Sequence, residues 1–205
     1  MQIVKLAFVA VAASNFAAAA LINGDFSTSD LTGWAYYLTT NGDDGFGDVS
    51  SFDTTGGGAS PAARFRIGQA LFGGPAAGAG IRQSLLLLPG SYTLTADIAS
   101  HLPWAIANSS GGILSVFLDG SNIYSFDFGS IEGLAVERSS FSVPVVIGSA
   151  GSFEFAFEFT RRYIQATSTP VNYIDNIQLS AEAPEPGTCM LSRPSHRWSG
   201  CHPLA

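Results

Sequence analysis

The sequence predicts an all-β protein, a two-sheet antiparallel β-sandwich of jelly-roll type. Apolar residues recur with period two in one segment after another, and turn-forming clusters separate these runs. No stretch beyond residue 20 carries a sustained helical period. About eight short strands, each with one apolar face, have an economical solution in two sheets packed face to face.

Taken in order, Tyr36 and Tyr37 are adjacent, so in a strand only one of them faces inward. Residues 39–60 are rich in glycine and carry Asp43, Asp44, Asp48 and Asp53, which reads as a solvated or disordered loop. Strands are expected over 64–72 and 81–88, the second ending at Pro89-Gly90. Tyr92, Leu94, Ala96 and Ile98 alternate with polar neighbours, as do Phe153, Phe155, Phe157 and Phe159. Residues 114–118 and 123–128 flank Asp119-Gly120-Ser121-Asn122, a hairpin signal. Phe141, Val143, Val145 and Ile147 form another alternating set, and Pro144 on its opposite face points to an edge or a bulge.

The two ends bracket one domain. Residues 1–20 have Lys5, an apolar run from Leu6 to Val11 and small residues at Ala17–Ala20, the layout of a secretory signal peptide. The apolar run is too short to span a bilayer. The sandwich is assigned to 21–180, a linker to 181–188 and a tail, expected to be disordered, to 189–205. Cys189 and Cys201 both lie in the tail, so the domain is expected to fold without a disulfide.

The formal net charge is −7, and Lys5 is the only lysine. An acidic surface argues against a nucleic-acid or anionic-membrane partner. Catalysis finds little support, since His101 is the only histidine in 21–180 and no serine sits in a Gly-x-Ser-x-Gly element. Trp104 lies in the loop-like run His101-Leu102-Pro103-Trp104; with Arg82, Asn108 and Tyr163 it is a candidate for a polar cleft with an aromatic floor. The plainer alternative is a tryptophan packed on a sheet edge. Trp34 reads as structural. Asp175 falls in phase with Val171, Tyr173, Ile177 and Leu179, so unbroken alternation places a carboxylate in an apolar layer. A cation, an arginine or a local bulge must then relieve it.

Two resemblances sharpen these readings. Pro184-Glu185-Pro186-Gly187, just after the last alternating strand, resembles the start of a PEP-CTERM sorting signal of exported bacterial surface proteins. That resemblance implies export, a cell-surface or secreted location and a sorting protease acting at the motif. Residues 189–205 lack the apolar helix and Arg-rich end of that pattern, so the signal reads as degenerate or frameshifted, with no stable membrane anchor. Asn23-Gly24-Asp25-Phe26 with Gly33-Trp34, the run 81–95 with Gln83, and Tyr173-Ile174-Asp175-Asn176-Ile177 resemble galactose-binding-like jelly-roll modules. This second resemblance implies a non-catalytic, carbohydrate-binding domain with one structural calcium, held by Asn23, Asp25 and Asp175. Two alternatives stand beside a polysaccharide binder: a structural surface protein without a specific small ligand and, more distantly, a glycoside-active enzyme.

Overall fold

The structure is a computed structural model that describes residues 21–162 and 168–182. The expected signal peptide, sorting element and tail, and Tyr163 of the expected cleft, lie outside the described residues. Ten strands run in order: β1 (Ala35–Leu38), β2 (Gly42–Phe52), β3 (Ser60–Gln69), β4 (Ala77–Leu87), β5 (Gly90–His101), β6 (Ile113–Leu118), β7 (Ser121–Asp127), β8 (Val136–Ile147), β9 (Gly151–Arg161) and β10 (Val171–Ala181). They form two five-stranded sheets, β1-β4-β9-β6-β7 and β2-β3-β10-β5-β8, in which every pairing is antiparallel. The all-β sandwich expected from the alternation is the fold.

The core lies between the sheets. Ile81, Leu114, Phe155, Phe157 and Phe159 enter from the first sheet; Phe65, Ile67, Leu94, Ile98 and Ile174 meet them from the second. Each of these side chains is essentially removed from water, a contribution of about 1.5–3 kcal/mol apiece. The hairpin at Asp119-Gly120 joins β6 to β7, with both turn residues at positive φ (47° and 75°). Pro144 sits on β8, an edge strand, where its missing N–H disrupts no interior ladder.

Three expectations about the elements are corrected. Residues 39–60 are not a solvated loop, because half of them form β2, an edge strand laddered along β3. Glycine and aspartate disfavour strands intrinsically, but pairing with a neighbouring strand overrides that preference. A bulge between Asp44 and Gly47 absorbs the misfit; the Asp44 carboxylate accepts the Phe46 and Arg66 amides at 2.9 and 2.8 Å. The strand expected over 64–72 ends at Gln69, whose side-chain amide binds Gly73, Gly74 and Pro75 around the following turn. The strand expected to start at 81 starts at Ala77. Ala77-Gly78-Ala79-Gly80 has no apolar alternation to read, yet it packs tightly: a Cβ on Gly78 would collide with the Phe159 carbonyl.

Residues 21–34 form a folded clasp over one margin of the sandwich. Phe26 is fully buried and Trp34 is 7% exposed, their rings 6.1 Å apart, and Trp34 meets Phe157 edge-on at 5.7 Å. The Trp34 indole N–H donates to the Asn23 carbonyl at 3.0 Å. Gln83 on β4 accepts the Ile22 amide at 2.7 Å and donates to the Ile22 and Gly33 carbonyls. Ile177 of β10 donates its amide to the Gly24 carbonyl at 2.8 Å. The motif residues of the N-terminal segment, of β4 and of β10 thus meet at one structural joint.

Candidate functional site

The outer face of the second sheet carries the aromatic and cationic residues. Alternation puts Phe65 and Ile67 into the core, so Arg64 and Arg66 point outward from β3. Register then places Arg64 beside Tyr173 of β10, and Tyr173 beside Ala99 of β5. Val171 lies opposite His101. Ala62, Ala99, Val171 and Tyr173 form a second, small apolar cluster here, packed against Phe46, Phe52 and Val136.

Phe52 lies flat on Tyr173, ring centroids 3.7 Å apart and planes 5° apart, and also stacks on His101 at 5.6 Å. Phe46 carries two guanidinium groups over its ring, Arg64 at 4.0 Å and Arg66 at 4.9 Å. Trp104 is 39% exposed at the rim. Phe46, Arg64, Arg66, His101, Trp104 and Tyr173 line a groove of about 230 Å³. Burial, with the nearby Arg138 charge, lowers the His101 pKa, so the ring is neutral at pH 7. A larger polar groove of about 480 Å³ continues the same face, lined by Thr95, Asp97, Ser140, Ser142, Asn176 and Gln178.

The acidic groups on this face are engaged. Asp48 accepts two hydrogen bonds from Arg64, at 2.8 and 2.6 Å. The Asp53 carboxylate accepts the Gly56 and Gly58 amides and pairs with Arg138 at 3.4 Å.

The expected cleft of Trp104, Arg82, Asn108 and Tyr163 is not brought together among the described residues. Arg82 stands on the outer face of the first sheet, 3.6 Å from Glu154 and over the Tyr37 ring at 5.5 Å. Two sheets packed about 10 Å apart separate it from Trp104. Asn108 is buried, donating to the Ser168 carbonyl at 2.6 Å and accepting from Arg161 at 2.9 Å. Its amide is therefore a structural partner and is not available to a ligand. Sequence reading missed Phe46, Arg64, Arg66 and Tyr173 as site residues. The alternation of Arg64 and Arg66 with Phe65 and Ile67 is a sequence signal for the two arginines alone.

The expected phase of β10 is also corrected. A bulge between Asp175 and Gln178, with Asn176 at φ 53°, breaks the alternation. Ile174, Ile177 and Leu179 therefore face the main core, while Val171 and Tyr173 face outward. Asp175 is fully buried; it accepts the Ser60 hydroxyl at 2.6 Å and the Asn176 amide at 2.7 Å. Burial, opposed by these hydrogen bonds and reinforced by Asp97 and Asp25, raises its pKa.

Each side chain expected to hold calcium is hydrogen-bonded to a protein group. Asn23 gives its amide oxygen to Thr28, its amide N–H groups to the Asp30 and Thr32 carbonyls, and its own carbonyl to Trp34 and Phe26. Asp25 is exposed and accepts the Ser27 amide at 3.2 Å. Among the described residues, no three His, Cys, Asp or Glu side chains group to hold a metal.

A pH prediction follows from Asp175. Between the ordinary carboxylate value and the raised folded value, the folded state holds a proton that the unfolded state lacks. The Asp175 contribution therefore grows as pH falls through that window and is smallest above it. Asp175→Asn should remove this component from the pH dependence of stability measured by urea denaturation. Asp175→Ala should instead cost about 1–3 kcal/mol, because Ser60 and the Asn176 amide lose their acceptor. Equal pH slopes in wild type and Asp175→Asn would show that Asp175 does not titrate differently on folding.

No family model matches this sequence, and no curated protein matches it. Solved structures do. The cleaved adhesin domain of Lys-gingipain from Porphyromonas gingivalis aligns with a TM-score of 0.50 at 15% identity, over 78% of this chain and 96% of that chain. The likeness is one of fold. TmCBM61, solved in complex with β-1,4-galactotriose, aligns with a TM-score of 0.45 at 15% identity, over 78% and 96% of the two chains. A family 16 carbohydrate-binding module aligns with a TM-score of 0.42 at 20% identity, over 78% and 97%.

Proposed function

We propose that this chain is an exported bacterial protein of the PEP-CTERM kind, whose sandwich binds a polysaccharide without transforming it. The observation that carries the reading is the groove on the outer face of the second sheet. A sugar ring presents C–H groups on its faces and hydroxyls at its rim. An exposed indole beside guanidinium, imidazole and phenol groups matches both. A binding role is supported over a catalytic one because Asp48 and Asp53 hold arginines in place. The location outside the cell and the sorting element rest on residues 1–20 and on Pro184, Glu185, Pro186 and Gly187.

A second reading, a structural surface protein, is favoured by one observation. Phe52 covers Tyr173, which is left only 7% exposed, so part of the aromatic face is used internally. A glycan array followed by affinity electrophoresis separates the two. Trp104→Ala should weaken binding to any glycan retained by the wild type by about ten- to thirty-fold, the effect of removing one aromatic anchor. Tyr37→Ala, on the opposite sheet, should leave it unchanged. A wild-type protein that retains no glycan would support the structural reading, whereas a Trp104→Ala variant that binds as well would move the glycan away from this groove.

A further inference from the structure

We propose that the polysaccharide taken by this groove is acidic, with Arg66 the residue that receives a uronate carboxylate; this rests on the binding role proposed above. The three arginines of the face differ in how their charge is met. Arg64 is neutralised by a two-point contact with Asp48, and Arg138 is paired with Asp53. Arg66 forms no ion pair among the described residues, and its buried Nε has no hydrogen-bond partner. Asp44 lies near but does not fill that role. Its oxygens accept the backbone amides of Phe46 and Arg66 and the Tyr36 hydroxyl at 2.9 Å.

The guanidinium of Arg66 is also held in position. The Phe46 ring lies on one side of it. The bulged backbone at Gly45 closes in as well, so tightly that a Cβ there would overlap Nε and Nη2. The Nη1 and Nη2 end of this fixed guanidinium, unpaired at the wall of an aromatic-lined groove, suits a planar carboxylate, which can accept two N–H bonds. His101, neutral at pH 7, can donate or accept a hydrogen bond beside it without adding charge. Trp104 at the rim then offers a face for the sugar ring that bears the carboxylate.

The test compares polygalacturonate, alginate and hyaluronate, each with its carboxyl-reduced neutral counterpart, by affinity electrophoresis of the full chain. At least one acidic polymer should bind ten-fold or more tightly than its reduced form. Arg66→Gln should abolish that preference, bringing binding of the acidic polymer down to that of its reduced form. If Arg66→Gln does not fold, Arg66→Lys serves instead; it keeps the charge but loses the fork, and should lower acidic binding several-fold more than neutral binding. Binding of neutral glycans with no acidic preference would overturn the assignment while the polysaccharide reading stands. So would an equal loss on acidic and neutral forms in the variant. Retention of no glycan, acidic or neutral, would overturn both.

Discussion

Trp34→Ala is expected to destabilise the sandwich by about 3–5 kcal/mol, the range for emptying a buried aromatic site. For a domain of this size, that shifts the melting temperature down by roughly 6–20 °C. The indole is a joint as well as a core side chain. Its ring packs between Phe26 and Phe157, and its N–H holds the Asn23 carbonyl. Its removal leaves a cavity and also frees the clasp formed by residues 21–34. Trp34→Phe keeps much of the packing and loses the hydrogen bond, so a cost of about 1–2 kcal/mol is expected. Urea denaturation of both variants with an unchanged m-value gives the comparison. A loss below about 1 kcal/mol for Trp34→Ala would place the ring on the rim of the core and not in it.

Gly24→Ala should be nearly as damaging, at about 2–4 kcal/mol, for a different reason. A Cβ at Gly24 would overlap the backbone carbonyl of Ile177, which lies in the β10 bulge and, being backbone, cannot turn aside as a side chain can. The same contact carries the hydrogen bond from the Ile177 amide to the Gly24 carbonyl. Either the clasp lifts or the β10 bulge shifts. Gly148→Ala is the control: a Cβ there meets no atom within 4 Å, and stability should change by less than about 0.5 kcal/mol. Because Gly24 and Trp34 secure one segment, the double variant should lose less than the sum of the two single losses. Strict additivity would show that the clasp does not detach as a unit.

The strongest sequence patterns survived into the structure, and the weak ones failed for identifiable reasons. Phe155, Phe157 and Phe159 are buried as their period predicts, and Pro144 lies on an edge strand. The Asn-Gly-Asp-Phe and Gly-Trp elements mark a real feature, but it is a backbone joint to β4 and β10. Asn23, expected as a metal ligand, has every side-chain donor and acceptor engaged within its own turn. Residues 42–52 were illegible as a strand because glycine and aspartate carry no apolar alternation, and pairing with β3 supplies what composition lacks.

The candidate site was less legible than the fold. Trp104 stands out in any reading of the sequence, and it does line the groove. Its partners do not stand out, because they are gathered from β2, β3, β5 and β10, strands that are neighbours only through pairing. Arg82 and Asn108 looked equally suitable by residue type, and the fold sends one to the opposite sheet and buries the other.

What the sequence determined by itself was the class of fold, the side of each strong strand that faces the core and the punctuation between strands. These are local properties: period two and turn chemistry act over a few residues and need no distant partner. Strand order, the bulges at Asp44–Gly47 and Asp175–Gln178, and the meeting of Phe46, Arg66 and Tyr173 on one face were decided only by tertiary structure. Each depends on which backbone lies alongside, and a one-residue bulge reverses the face of every residue beyond it. That is why Asp175, in phase with Tyr173 by count, shares the outer face with it while Ile177, also in phase, lies in the core.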